Sequence, residues 1–103
     1  MRQFDVFRNP SERSRTTAPF VVVLQSHLLS AMPTIVVAPM LIDDGRSAYS
    51  ETSVSLTFSG ERYILSVPEL AGVESGRLRE AVGSIGAHED AIRRALDRVF
   101  TGF

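Results

Sequence analysis

The stretch 52–67 constrains the fold of this chain more than any other. Val54, Leu56 and Phe58 alternate strictly with Ser53, Ser55 and Thr57, then Ser59-Gly60 interrupts, and Arg62-Tyr63-Ile64-Leu65-Ser66-Val67 resumes. Period-two alternation places the apolar side chains on one face of a strand. A two-residue interruption containing glycine joins two such strands as an antiparallel hairpin. A lone hairpin is at best marginally stable in water, so the rest of the chain must cover its apolar face.

Three further segments supply strands. Phe20-Val21-Val22-Val23-Leu24 is continuous and β-branched, as expected of a strand buried on both faces. Gln25-Ser26-His27 interrupts that run before Leu28-Leu29. Thr34 to Ile42 is a second strong strand, and Pro39, which has no backbone donor, is expected at an edge, a bulge or a strand break. Phe4 and Val6 alternate with Asp5 and predict a strand that stops at Asn9-Pro10. Residues 10–18 are polar and read as an exposed, mobile loop. Asp43-Asp44-Gly45-Arg46 reads as a turn, Pro68 ends the returning hairpin strand, and 69–73 reads as a turn-like connection. Residues 77–86 fit a short helix and an extended segment equally well.

The last segment carries helix signals. Ile92, Ala95, Leu96, Val99 and Phe100 fall on one face. Glu89 and Asp90 in the first turn and Arg98 near the end match the macrodipole, and Glu89–Arg93 and Asp90–Arg94 are favourable i, i+4 pairs. Gly102 is placed to be the left-handed residue after the helix. Phe100 continues the stripe and is expected in the core. Phe103, beyond the glycine, either folds back as the cap's hydrophobic contact or offers an aromatic anchor and a carboxylate to a partner.

The 103 residues make room for one domain, 1–103, and contain no internal repeat. There is no cysteine, which excludes disulfides and thiolate chemistry. All eleven basic residues are arginines, so Schiff-base and P-loop lysines are excluded too. The net charge is −1 and no basic stripe is visible, which gives nucleic-acid binding little electrostatic support. The apolar runs are too short to span a bilayer and Met1 to Asp5 has no signal-like apolar stretch; a cytoplasmic protein is expected.

Catalytic motifs fail in turn. Gly83-Ser84-Ile85-Gly86 lacks the spacing of a nucleophile elbow. His27 and His88 are far apart in sequence and lack flanking carboxylates at ligand spacing, and Asp43-Asp44 reads as a solvated turn. No metal or cofactor is expected. Small barrels that cleave RNA can work with arginine plus a hydroxyl or carboxylate, and Arg13, Arg15, Arg46 and Arg62 are candidates; exposed loop arginines are the plainer reading.

Four collinear segments nonetheless form a pattern. Phe4-Asp5-Val6-Phe7-Arg8-Asn9, Val23-Leu24-Gln25-Ser26-His27-Leu28-Leu29, Val36-Val37-Ala38-Pro39-Met40 and Ala95-Leu96-Asp97-Arg98-Val99-Phe100-Thr101-Gly102-Phe103 resemble the CcdB family of bacterial toxins, over nearly the whole chain. The resemblance implies a mainly β (α+β) fold, an SH3-like small barrel of antiparallel strands with a C-terminal α-helix, assembled as a homodimer. It implies a non-enzymatic toxin of a type II toxin–antitoxin system, associated with plasmid maintenance. Such a toxin binds the A subunit of DNA gyrase and traps the enzyme's cleavage complex with DNA. A CcdA-like antitoxin neutralises it through a disordered segment that folds on binding. The gyrase contacts implied are Leu28, Leu29, Asp97, Phe100, Thr101, Gly102 and Phe103. Thr101 departs from the pattern, since the best-known member has a tryptophan there, and Asp97 replaces an amide. Arg8, Arg13 and Arg46, exposed by composition, are candidates to hold an acidic antitoxin. The alternatives are an mRNA-cleaving toxin of the MazF/Kid type on the same barrel, or a relative that no longer targets gyrase.

Overall fold

The structure, a computed structural model, describes residues 1–29, 31–45 and 51–102. The chain runs β1 (Asp5–Arg8), β2 (Phe20–Val23), β3 (Thr34–Ile42), β4 (Ser53–Phe58), β5 (Glu61–Ser66), β6 (Ala71–Glu74), β7 (Ala81–Ser84) and one helix, α1 (Glu89–Thr101). All strand pairings are antiparallel, in the order β4-β5-β3-β2-β1-β7, with β6 also on β3. The molecule is a strongly curved antiparallel half-barrel with one C-terminal helix, the small-barrel α+β architecture that the sequence predicts.

The hairpin forms as read. Phe58 pairs with Glu61 across Ser59-Gly60, and both turn residues have positive φ, 51° and 80°. That geometry twists in the same sense as the strands it joins, and glycine adopts it without cost. The run at 20–24 is buried on both faces because two apolar clusters flank it. Val22 and Leu24 join Phe4, Val6, Ala38, Met40, Leu56, Leu65, Ile92 and Ala95 on the helix side. Val21 and Val23 join Phe7, Ile35, Val37 and Leu78 on the other.

Pro39 sits inside β3 rather than at its end, but at a local edge, since no strand pairs with its second side. It lies within β3 opposite Val21, where β3 exchanges its second neighbour: residues 34–37 pair with β6 and residues 40–42 with β5. Leu24 N–H donates to the Val36 carbonyl at 3.0 Å. The alternation of an antiparallel ladder therefore makes Val21–Pro39 a non-hydrogen-bonded pair, and the missing donor faces the gap between β6 and β5.

Three local expectations change. Residues 10–18 form successive turns held by the buried Asn9, whose Nδ2 donates to the Ala18 carbonyl at 2.8 Å and whose Oδ1 accepts from Ser11 N–H at 3.0 Å. The turn-like connection after Pro68 is a 3-10 turn, Val67–Glu69, followed by strand β6. Within the undecided stretch 77–86, Ala81–Ser84 are extended and pair as β7 with β1, while Arg77 ends one short 3-10 turn and Gly86 begins another. Local composition misses both strands because each is short, largely exposed and specified by its partner rather than by an apolar period.

β4 and β7 are the two ends of the sheet, and an aromatic cluster brings them together. Phe58 at the end of β4 packs edge-on against Phe20 and Tyr63, with ring centroids 5.4 Å and 6.5 Å away. The Phe58 ring covers Gly83 of β7 so closely that a Cβ there would lie 2.7 Å from it. Glycine at 83 thus lets the sheet curl far enough for its edges to meet.

α1 covers the helix-side cluster. Ile92 and Ala95 are buried, while Leu96 and Val99 pack at its margin. Glu89 pairs with Arg93 at 3.0 Å, and Gly102 ends the helix at φ 79° with its N–H on the Arg98 carbonyl at 3.1 Å. Phe100 does not join the core: it is 68% exposed. At 100° per residue the buried stripe centres on Ile92, Ala95 and Val99, so Phe100 projects roughly 100° to one side of it, in the last turn.

Candidate functional site

The resemblance-derived positions lie on two elements. Leu28 and Leu29 belong to a 3-10 turn, His27–Leu29, immediately after β2, and are 84% and 50% exposed. The turn is pinned rather than loose. Gln25 Nε2 donates to the Leu29 carbonyl at 3.2 Å, and Gln25 Oε1 accepts from Val36 N–H at 3.0 Å. One amide therefore ties the turn to β3 and holds both leucines outward. Met32, 50% exposed, extends this apolar surface and was not singled out from sequence. His27 is exposed on the same turn.

Asp97, Phe100, Thr101 and Gly102 occupy the exposed end of α1. Thr101 turns its hydroxyl inward, donating to the Asp97 carbonyl at 2.6 Å, so it closes the helix rather than offering a donor outward. Phe100 is then the large apolar group left at this end among the described residues. The two elements border one core: Leu24, just before the 3-10 turn, and Leu96 and Val99 of α1 pack in the same cluster. Phe103, and with it the choice between a folded-back cap contact and an outward anchor, lies outside the described residues.

A second feature is a groove of about 470 Å³ between the β1–β2 loop and the start of β7. Arg8, Arg15, Arg77 and Arg79 line it together with Glu80, Pro10 and Val82. Arg15 Nε donates to the Asn9 carbonyl at 2.6 Å and Arg77 donates to the Pro10 carbonyl at 3.1 Å, so two of the guanidinium groups are fixed on the loop. Val82 is an unpaired extra residue, since Val6 faces Gly83 and Phe7 faces Ala81 in the β1–β7 ladder. Such a bulge re-aims a side chain, and Val82, 53% exposed, faces the groove.

The structure brings only part of the arginine set proposed from sequence to this groove. Arg8 and Arg15 line it, whereas Arg13 does not. Arg62 lies on the hairpin, donating to Ser55 Oγ at 3.2 Å and pairing with Asp43 at 3.7 Å. Arg46 lies outside the described residues. Arg77 and Arg79 were missed, although the pattern Arg77-Leu78-Arg79 carried the signal: Leu78 is buried and the two arginines flank it on the opposite face. His88 sits beside α1 in a separate groove with Arg94, Arg98 and Glu51. Among the described residues no cluster of acidic or imidazole side chains has the arrangement of a metal site, and no helix is long and apolar enough to cross a membrane.

No curated protein matches the sequence. Among solved structures, an endoribonuclease from a mycobacterial species has a TM-score of 0.75 at 12% identity, covering 96% of this chain and 89% of that one. An endoribonuclease in complex with its cognate antitoxin, also mycobacterial, has a TM-score of 0.76 at 12% identity, over 96% and 93% of the two chains. The Mycobacterium tuberculosis toxin MazF-mt6 has 0.72 at 14% identity, over 96% of both chains. At these identities the likeness is one of fold. The sequence itself is more specific: the family model described as CcdB protein matches residues 3–102, and the chain belongs to the CcdB family of toxin–antitoxin toxins.

Proposed function

We propose that this chain acts as a single toxin domain, 1–103, that binds the A subunit of DNA gyrase and traps the gyrase–DNA cleavage complex, without catalysis of its own. A homodimer presents the docking surface, and a CcdA-like antitoxin neutralises the toxin. The observation that carries this reading is the exposure of Leu28, Leu29 and Phe100 at positions where the family resemblance puts gyrase contacts. Leu28, Leu29 and Phe100 leave apolar surface on two elements that border one core, and fixed backbone on both elements lowers the ordering cost of binding. Thr101 supplies no aromatic anchor, so Phe100, one position earlier, takes that part. Removal of such an anchor from an interface costs about 2 kcal/mol or more.

The test is a gyrase cleavage-complex assay with supercoiled plasmid, comparing intact protein, Phe100→Ala and a variant lacking residues 101–103. Intact protein linearises the plasmid, and both variants lose most of that effect. If intact protein neither binds gyrase nor produces linear DNA, the chain is a CcdB-family toxin with another target.

One observation favours a second reading, RNA cleavage of the MazF/Kid kind. The fold is shared with endoribonucleases, and a groove here combines arginines with a carboxylate, Glu80, groups able to move protons and stabilise a pentacoordinate phosphorane. Incubation with RNA decides between them. Cleavage abolished by Arg79→Ala and Glu80→Gln establishes an enzyme, and intact RNA removes that reading.

A further inference from the structure

We propose that the groove between α1 and the free edge of β4 binds a dianionic phosphate group, either inorganic phosphate or the phosphate of a small ester. The site stands apart from the gyrase reading, because none of its residues is among the positions assigned to gyrase. It is a space of about 430 Å³. Ser53, Val54 and Ser55 line it in succession; consecutive strand residues reach one groove at a sheet edge, and β4 is the end of the sheet. Arg94 and Arg98 face them from α1, one helical turn apart. Like charges at that spacing oppose each other, and an anion held between them turns the repulsion into attraction. Arg94, which the sequence offers to Asp90, makes no hydrogen bond or ion pair among the described residues and lines the groove instead. Arg98 meets Glu51 at 3.6 Å, but the Glu51 side chain is 81% exposed and can move into solvent as an anion arrives.

The donors match a tetrahedral dianion. Two guanidinium forks supply two charges and paired N–H groups, the arrangement that suits phosphate oxygens. Ser55 Oγ accepts from Arg62 at 3.2 Å, which leaves its own O–H to donate. His88 adds an imidazole, which carries an N–H donor in either protonation state. Four such groups exceed what the two oxygens of a carboxylate can use. The apolar lining is confined to Val54 and Ala91, which offers no pocket for the large anchor of a protein partner and no ring on which a base would stack. Glu51 in the groove and Glu89-Asp90 directly after His88 flank the cations with negative charge. One phosphate group fits between the arginines, whereas a polynucleotide, charged at every residue, is opposed on both sides.

The test is calorimetric titration of the full chain, at constant ionic strength, with inorganic phosphate, adenosine 5′-monophosphate, acetate and a short DNA duplex. The expected result is saturable binding of phosphate or of the monophosphate ester at millimolar concentration, and none of acetate. Tighter binding of the ester identifies an organic phosphate as the ligand, and equal affinity identifies the phosphate group alone; either supports the site. Arg94→Gln and Arg98→Gln each weaken binding by about tenfold, the loss typical of one charge-assisted contact. Arg94→Lys, which keeps the charge and loses the fork, falls between. Glu51→Gln strengthens binding by removing the competing carboxylate, and Arg93→Gln, on the same helix but paired with Glu89, leaves it unchanged. Because the ligand bridges α1 and β4, saturating phosphate also raises Tm of the parent and not of Arg94→Gln. No saturable binding, acetate bound as well as phosphate, or binding indifferent to Arg94→Gln and Arg98→Gln overturns the proposal. So does a preference for the duplex that these two variants abolish, which would assign the groove to nucleic acid.

Discussion

Gly83 offers the sharpest test of how the sheet closes. Its φ is not positive, so the backbone there accepts alanine without strain, and Gly→Ala alone would stabilise by about 0.4–1 kcal/mol through the unfolded chain. The Phe58 ring reverses that sign. A Cβ at 83 would meet Cε1 and Cζ of Phe58 at 2.7 and 2.8 Å, and the ring cannot swing away freely because it packs edge-on with Phe20 and Tyr63. Overpacking of this kind costs about 1–3 kcal/mol, and for a domain of this size each kcal/mol lowers Tm by about 4–8 °C. Gly83→Ala is therefore expected to destabilise by about 1–2 kcal/mol net. In a Phe58→Ala background it should be neutral or stabilising. Urea unfolding of the four proteins measures the coupling directly. Gly72→Ala is the control: its Cβ would lie 2.8 Å from Thr34 Cγ2, but Thr34 is exposed and its methyl can rotate away. Equal midpoints for Gly83→Ala and the parent, or additive effects with Phe58→Ala, would refute the claim that this contact limits closure.

Other consequences follow from single contacts. Phe100→Ala should change stability in urea unfolding by less than about 0.5 kcal/mol, since the ring is exposed, while removing most gyrase binding in a pull-down. Asn9→Ala breaks the two side-chain bonds that shape the β1–β2 loop and should cost about 1–3 kcal/mol, with amide exchange of Ser11 rising measurably. Gly102→Ala places a Cβ at φ 79° and should cost about 1 kcal/mol, read as fraying of the last helical turn in NMR chemical shifts. Gln25→Ala removes the tie between the Leu28–Leu29 turn and β3; stability should fall by about 1 kcal/mol, and gyrase affinity should fall further than that loss explains.

Much of this fold was legible residue by residue. Strict alternation around Ser59-Gly60 and the β-branched run at 20–24 depend on local periodicity alone, and helix α1 declared its face, its charges and its glycine cap in the same way. The family was legible as well, through four collinear segments. What local pattern did not decide was anything settled by a partner strand or by the end of an element. β6 and β7 are too short and exposed to announce themselves, and exist because β3 and β1 offer them unpaired edges. Pro39 is tolerated mid-strand because two other strands exchange places beside it. Phe100 belongs to the apolar stripe by spacing, yet the helix outruns the core beneath it, so the same ring becomes surface. The arginine groove gathers Arg8 and Arg15 from one end of the chain and Arg77 and Arg79 from the other. Periodicity is a property of neighbours in sequence, whereas a groove, a closing contact and the reach of a core are properties of chain segments that meet only after the sheet has curled.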